Sequence, residues 1–391
     1  GVQTGPIRID LATVRGRKRA IVDSFRGGSQ GSIEATPGVE LIFGTAAFSG
    51  EHSLAVALNA GGERALTAPT IIINAGARST VPDLPGLADT PYLDSTSIME
   101  LDAAPRHLIV LGGGYIALEF AQMFRRFGSQ VTIVQRSGQL LGREDADIAA
   151  AVAGILAEDG IDVLLDTAAL RVERAGDGVA LSVSGPGGER AIAGSHLLLA
   201  VGRTPNSDRL NLEAAGIAAD ARGFITVNER LETNVPGIYA AGDINGGPAF
   251  THISYDDYRI LRANLIEGGA ASTAGRQLPY VVFTDPQLGH IGLNEREARR
   301  QNRAVRVATM PMSHVARALE VDEPRGLMKA LVDPASGQIL GYTVLGIEGG
   351  ELMSVVQMAM LGKLPYAALR DAIFAHPTLA ESLNNLFAQL D

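Results

Sequence analysis

The residues best suited to chemistry lie in the run Gly112-Gly113-Gly114-Tyr115-Ile116-Ala117. It fits G-x-G-x-x-G/A, between an apolar strand-like segment and an apolar helix-like one. In that pattern the first glycine makes a tight turn and the second lets a pyrophosphate approach the backbone. A small third residue then lets helix pack on strand. Gly112, Gly114 and Ala117 take those places, while Tyr115 and Ile116 open a helix whose N-terminus favours an anion. The spacing predicts a βαβ unit from His107 to about Arg136, with a dinucleotide as its ligand. The bland alternative is a glycine-rich turn in an unliganded sheet.

The end of the second strand bears on which nicotinamide cofactor binds. An NAD site expects Asp or Glu there, for the ribose hydroxyls. This chain has Gln135 and then Arg136. The missing carboxylate removes repulsion of a 2′-phosphate, and Arg136 suits one through charge-assisted hydrogen bonds. Arg143 is a second candidate contact. The residues favour NADPH, with NADH left possible and a solvated surface arginine as the plain alternative. Two further carboxylates stand out. Asp243 ends a strand in D-I-N-G-G, where it is either a turn residue or an acceptor for hydroxyls. Glu381 closes Thr378-Leu379-Ala380-Glu381, a T-x-x-E capping box with Pro377 ahead of it, and His376 lies five residues upstream.

The elements that must position these groups follow from hydrophobic periodicity. Helical spacing marks residues 11–35, with Gly27, Gly28 and Gly31 weakening the end. Val39–Phe43, Ser53–Leu58 and Thr70–Asn74 read as meander strands. From Arg106 strand and helix alternate: strands at His107–Leu111, Gln130–Val134, Ile161–Leu165 and His196–Val201, helices at Tyr115–Phe127 and Asp147–Glu158. Leu170–Val183 holds a short antiparallel pair. Ile238–Ala241 is a buried strand and Tyr255–Glu267 a helix. After about Arg276 come antiparallel strands at Val281–Phe283, Val305–Met310, Leu327–Val332 and Ile339–Leu345, then helices at Glu351–Leu361, Tyr366–Ala372 and Leu379–Ala388. The fold class is α/β: a parallel sheet with helices and an inserted β-meander, followed by a separate α+β domain.

Composition narrows the functions. The chain has 391 residues, 46% of them hydrophobic, enough for two or three buried cores. A net charge of -10 argues against a broad nucleic-acid surface. There is no cysteine, which excludes disulfides, zinc thiolates and iron–sulfur clusters within these residues. The seven histidines form no ligand pair, so no metal site is expected. No run approaches the ~20 apolar residues of a membrane span and none reads as a signal peptide, which makes a soluble cytoplasmic protein the expectation.

Several motifs together carry a family resemblance. G-G-G-Y-I-A-L-E at 112–119 resembles the NAD(P)H motif of the flavoprotein disulfide reductases, and T-N-V-P-G-I-Y-A-A-G-D at 233–243 their second FAD motif. V-G-R-T-P-N at 201–206 and I-N-A-G-A at 73–77 resemble the family's sheet-end turns. P-Y-V-V-F-T-D-P-Q at 279–287 is similar to the start of its dimerisation domain, and H-P-T-L-A-E at 376–381 to its C-terminal active-site motif. Within the family, V-Q-R-S…R-E-D at 134–145 resembles mercuric-reductase-like sequences. D-D-Y-R-I at 256–260 and E-S-L-N-N-L-F at 381–387 resemble the bacterial reactive-chlorine-resistance branch.

The resemblance implies FAD- and NAD(P)-binding Rossmann-like domains and a C-terminal α+β dimerisation domain. It divides the chain into an FAD-binding domain (1–105 and 231–275), an NAD(P)H-binding domain (106–230) and an interface domain (276–391). It assigns Asp243 to the flavin ribityl chain, Ala75 and Gly76 to the FAD pyrophosphate, Gly202 to a cofactor-binding sheet-end turn and Thr251 to the isoalloxazine. Tyr115 becomes a gate over the flavin and Glu119 a neighbour of the nicotinamide. His376 becomes an acid–base acting on the thiols of the partner subunit, with Glu381 on its other nitrogen, so that a homodimer shares each active site. Hydride would pass from NADPH to FAD, to a dithiol, and on to a disulfide or metal ion. The family's N-terminal G-x-G-x-x-G and C-x-x-x-x-C are not in the sequence, which is expected to begin just after them. The competing expectation is a nucleotide-binding dimeric scaffold without a reductase cycle.

Overall fold

A computed structural model describes residues 1–390. The chain divides into two units. One comprises residues 1–11, 81–202 and those from 277 onward, the other residues 12–80 and 203–276. This grouping differs from the expected boundaries: 203–230 falls with 12–80, and 81–105 falls with 106–202.

In the first unit, four parallel strands run in the order His196–Leu199, His107–Leu111, Gln130–Val134, Asp162–Leu164. Their near-continuous apolar runs suit burial on both faces, and Leu108, Ile109, Val131, Ile133, Leu197 and Leu198 are wholly buried. One face is covered by the helices Tyr115–Arg126 and Ala146–Glu158, through Leu118, Ala121, Phe124, Ile148, Val152 and Leu156. The other is covered by a meander that packs Val172, Val179, Leu181 and Val183 on Ile109, Leu111, Val134 and Leu199. The meander has three strands, Ala168–Ala175, Gly178–Gly185 and Gly188–Gly194, not the expected pair. The third strand escapes periodicity because it is an edge with little apolar content, only Ile192 reaching the core.

Five antiparallel strands complete this unit, in the order Tyr280–Val282, Gln287–Gly292, Ile339–Gly346, Leu327–Val332, Arg306–Pro311. The helices Gly349–Leu361 and Ser382–Ala388 supply Leu352, Val356, Leu383 and Phe387 to their core. The strand Gln287–Gly292 was not expected from its Q-L-G-H-I-G sequence. A Cβ at Gly289 would come within 2.7 Å of the Gly349 carbonyl oxygen, so the glycine that disguises the strand lets a helix sit against it.

The second unit carries a meander of Gly44–Gly50, Ser53–Leu58 and Glu63–Thr67, and a parallel pair Ile71–Ile73 with Ile238–Ala240. Arg203–Pro205 pairs antiparallel with Ala77–Ser79. Phe48, Ile73, Ile225, Ile238 and Ile244 form its core. Val39–Phe43 is not a strand. It lies ahead of Gly44–Gly50, with Val39 and Phe43 exposed. The helix Leu11–Glu34 continues through Gly27, Gly28 and Gly31, where the expectation had it weakening. Among the described residues no helix is long and apolar enough to cross a membrane, and no group of three His, Cys, Asp or Glu side chains is placed to hold a metal.

Candidate functional site

The order of the parallel sheet places His107–Leu111 between its sequence successor Gln130–Val134 and the much later His196–Leu199. The strand order therefore reverses beside His107–Leu111, and ligands of open α/β sheets bind in the crevice at the carboxyl ends of the strands there. Gly112 lies there with φ +118°. A Cβ on it would come within 2.3 Å of the Ala200 oxygen, so glycine is required by both conformation and space. Its N–H donates to Val134 O at 2.9 Å, tying the turn to the second strand.

Gly114 differs from it. It is the N-cap of Tyr115–Arg126 in extended conformation, no side chain caps the helix there, and a Cβ on Gly114 would meet nothing within 4 Å. Open space thus faces an uncapped helix N-terminus, the arrangement a pyrophosphate needs. Ile116 and Tyr115 are half-buried, and Ala117 is wholly buried against the sheet. Gly202, with φ +141°, is exposed just beyond His196–Leu199.

Gln135 does not extend outward. Its amide donates to Ser137 Oγ at 2.6 Å and Gln139 O at 3.2 Å, and its stem lies 2.9–3.0 Å from where a Gly113 Cβ would be. Arg136 is exposed, and none of the hydrogen bonds or ion pairs among the described residues involves it. Arg136 follows the strand Gln130–Val134, whose parallel neighbour His107–Leu111 leads into the glycine turn. Arg143 is also exposed, and its carbonyl accepts from Asn294 Nδ2 at 2.9 Å.

Glu119 follows Tyr115 by one helical turn, on the same face. Its Oε1 accepts from Phe283 N at 2.8 Å. Burial raises its pKa above the ordinary carboxylate range, and the Phe283 bond offsets this only in part. Gln122, further along this face, exchanges hydrogen bonds with Asp285 N and O at 2.7 and 2.8 Å. The helix Tyr115–Arg126 is thereby fastened to the segment that opens the five-stranded sheet.

In the second unit, Asp243 sits in the short turn Gly242–Asn245 that follows Ile238–Ala240. Ala75 and Gly76 follow the parallel neighbour Ile71–Ile73, so the two groups share one sheet edge. Gly76 has φ +66° and open space at its Cβ position. Asn206 holds both residues, its Nδ2 donating to Ala75 O at 2.8 Å and its N–H to Gly76 O at 3.1 Å. Arg203 Nη2 lies 3.4 Å from Asp243 Oδ2 and also donates to Ala77 O. Arg203 and Asn206 were visible only as letters of the V-G-R-T-P-N motif, with no contact predicted for either. Thr251 is exposed at the first position of the helix Thr251–Leu265, which starts four residues before the expected Tyr255. An ordered carboxylate, an open positive-φ glycine and a buried, unpartnered Arg203 Nε fit a polyhydroxylated phosphate ligand such as FAD.

His376 and Glu381 form a pair. Nδ1 lies 2.9 and 3.0 Å from the two carboxylate oxygens, and the imidazole side chain is 71% exposed. A carboxylate only accepts, so Nδ1 carries the proton and Nε2 faces outward with its lone pair when the ring is neutral. The capping box is half made: Glu381 N donates to Thr378 Oγ1 at 3.3 Å, while the glutamate carboxylate serves the histidine. The helix Ser382–Ala388 therefore starts three residues after the expected Leu379.

Comparison with known proteins agrees with this geometry. Residues 5–257 match the family described as pyridine nucleotide-disulphide oxidoreductase, and residues 278–387 match its dimerisation domain. The chain is 40% identical over 374 residues to the probable pyridine nucleotide-disulfide oxidoreductase RclA of Escherichia coli K12, covering 95% of this chain and 84% of that protein. It is 36% identical over 384 residues to the mercuric reductase of Acidithiobacillus ferrooxidans, covering 98% and 69%. The solved structure of the HOCl-induced flavoprotein disulfide reductase RclA from Escherichia coli, as its Cu(II) complex, superposes with a TM-score of 0.91 at 39% identity, covering 98% of this chain and 86% of that one.

Proposed function

Because the chain belongs to the pyridine nucleotide-disulphide oxidoreductase family, we propose that it draws electrons from NADPH through FAD toward a disulfide or an oxidised metal ion. The observation that carries this reading is the open, uncapped turn at Gly114 on the same sheet end as the partnerless Arg136. Bound FAD would supply the two-electron relay between nicotinamide and acceptor. Gly112 shapes the turn, Gly114 and the amides of the following helix hold the pyrophosphate, and Arg136 with Arg143 holds the 2′-phosphate. NADH, lacking that phosphate, is the weaker substrate. Gly202 borders the same crevice. Tyr115 and Glu119 serve the nicotinamide end. Ala75, Gly76, Asp243 and Thr251 bind the flavin.

His376 Nε2 gives and takes the proton at the acceptor site, and Glu381 holds the tautomer that leaves Nε2 free. In this reading the histidine serves the partner subunit, so the homodimer is the working unit. A metal-ion acceptor is supported by relatives named mercuric reductases and by the Cu(II) in the RclA structure. These 391 residues hold no cysteine, so any thiol step uses a thiol they do not contain. A dimeric nucleotide-binding scaffold is the competing reading.

Incubation with FAD, desalting and anaerobic addition of NADPH tests both. The enzyme reading expects retained flavin absorbance that NADPH bleaches. Protein that binds NADPH while leaving the flavin oxidised supports the scaffold, and protein that retains no flavin refutes the enzyme reading.

A further inference from the structure

Arg203 is a half-buried cation with one buried donor left over. It opens the strand Arg203–Pro205, which pairs with Ala77–Ser79. Its Nη2 donates to Ala77 O and lies 3.4 Å from Asp243 Oδ2. Its Nε is inaccessible to solvent and has no hydrogen-bond partner. A buried N–H without a partner costs free energy unless an acceptor arrives. Three residues on, Asn206 holds the carbonyls of Ala75 and Gly76. One four-residue segment therefore fastens both sheet-end turns: the one carrying Asp243 and the one carrying Ala75 and Gly76.

We propose that Arg203 is a positioning residue of the flavin site: it holds Asp243 Oδ2, leaves Oδ1 for a ligand hydroxyl, and keeps Nε–H for an oxygen the ligand brings. This rests on the reading of Asp243 as a flavin contact. The planar guanidinium is needed because it donates through Nη2 and Nε at once, in directions an ammonium does not reproduce. Asp243, with one oxygen in ion-pair contact with Arg203 at 3.4 Å, is also oriented before the ligand arrives, which lowers the ordering cost of binding.

The test compares the unaltered chain with Arg203→Met and Arg203→Lys, each freed of flavin and titrated with FAD. Flavin fluorescence and the shape of the visible flavin band are read alongside melting of the flavin-free forms. Loss of a charged hydrogen-bond partner corresponds to roughly 10- to 100-fold weaker FAD binding for Arg203→Met. Arg203→Lys restores part of that affinity, with a flavin band still different from that of the unaltered chain. If Arg203→Met folds and binds FAD with unchanged affinity and spectrum, the proposal is overturned. If Arg203→Met does not fold, Arg203→Lys decides: weaker binding and an altered band support the proposal, and unaltered values overturn it. An unaltered chain that binds no FAD refutes the flavin reading itself, and this inference with it.

Discussion

Two glycines in one turn separate folding from binding. Alanine at Gly112 must adopt φ near +118° and place its Cβ 2.3 Å from the Ala200 oxygen. Backbone strain of this kind costs about 1–3 kcal/mol. The Ala200 carbonyl belongs to backbone held at the end of the parallel sheet, with the Ala200 N–H bonded to Leu111 O at 2.9 Å, so it does not yield without loss of that pairing. We therefore expect Gly112→Ala to destabilise the fold by roughly 3 kcal/mol or more. Gly114 has φ −86° and ψ 176°, which alanine accepts, and empty space at its Cβ. Its replacement costs only about 1 kcal/mol through the poorer N-cap. The added methyl, however, occupies the approach of a pyrophosphate to the backbone, and NADPH binding should weaken by roughly 10-fold or more. Denaturant unfolding and NADPH titration of both variants make the comparison. If Gly112→Ala is as stable as the unaltered chain, the close approach is misjudged. If Gly114→Ala keeps full NADPH affinity, the dinucleotide is not bound at this turn.

Arg136→Glu should reduce binding of NADPH relative to NADH, because a carboxylate repels the 2′-phosphate that the arginine attracts; an unchanged ratio in parallel titrations refutes the assignment. Glu381→Ala should remove the preference for the Nδ1-protonated ring of His376, read by nitrogen NMR of labelled imidazole, and lower turnover about 10- to 100-fold; an unchanged tautomer would show the 2.9 Å bond to be incidental. Glu144 is buried, accepts from the Tyr280 hydroxyl, and has its other oxygen unpartnered, 4.0 Å from His290 Nδ1. Burial pushes its pKa up, with His290 and Tyr280 offsetting this in part. A raised carboxyl pKa means the folded state binds the proton more tightly than the unfolded chain. Its stabilisation is complete below the unfolded value of about 4.3 and is lost as pH rises through the folded value. Glu144→Gln keeps an acceptor for Tyr280 and removes that titration, so its stability relative to the unaltered chain should rise with pH over this window; a difference that does not vary with pH contradicts the account.

Local pattern made much of this protein legible in its sequence. The strands His107–Leu111 and Gln130–Val134 lie where the uninterrupted apolar runs put them, and the glycine turn follows directly, because burial on both faces and tight-turn sterics depend on adjacent residues. The same locality gave the last turn its two readings, and there the packing shares the groups: Thr378 takes the backbone N–H of Glu381 while the glutamate goes to His376.

Tertiary structure decided what depends on residues far apart. Gln287–Gly292 is a strand because it pairs with Tyr280–Val282 and Ile339–Gly346, and its Gly289 leaves room for a helix beginning at Gly349, reasons no window of six residues contains. Val39–Phe43 is not a strand, although its composition suits one, because the neighbouring meander starts only at Gly44. Asn206 reaches Ala75 across 131 residues, and Arg203 reaches both Ala77 and Asp243. Periodicity assigns a face to each residue, but a polar side chain's partner is set by which strands become neighbours. The sequence therefore determined the glycine turn and the family. The folded chain alone joined the two sheet-end turns and left one arginine donor waiting for an acceptor.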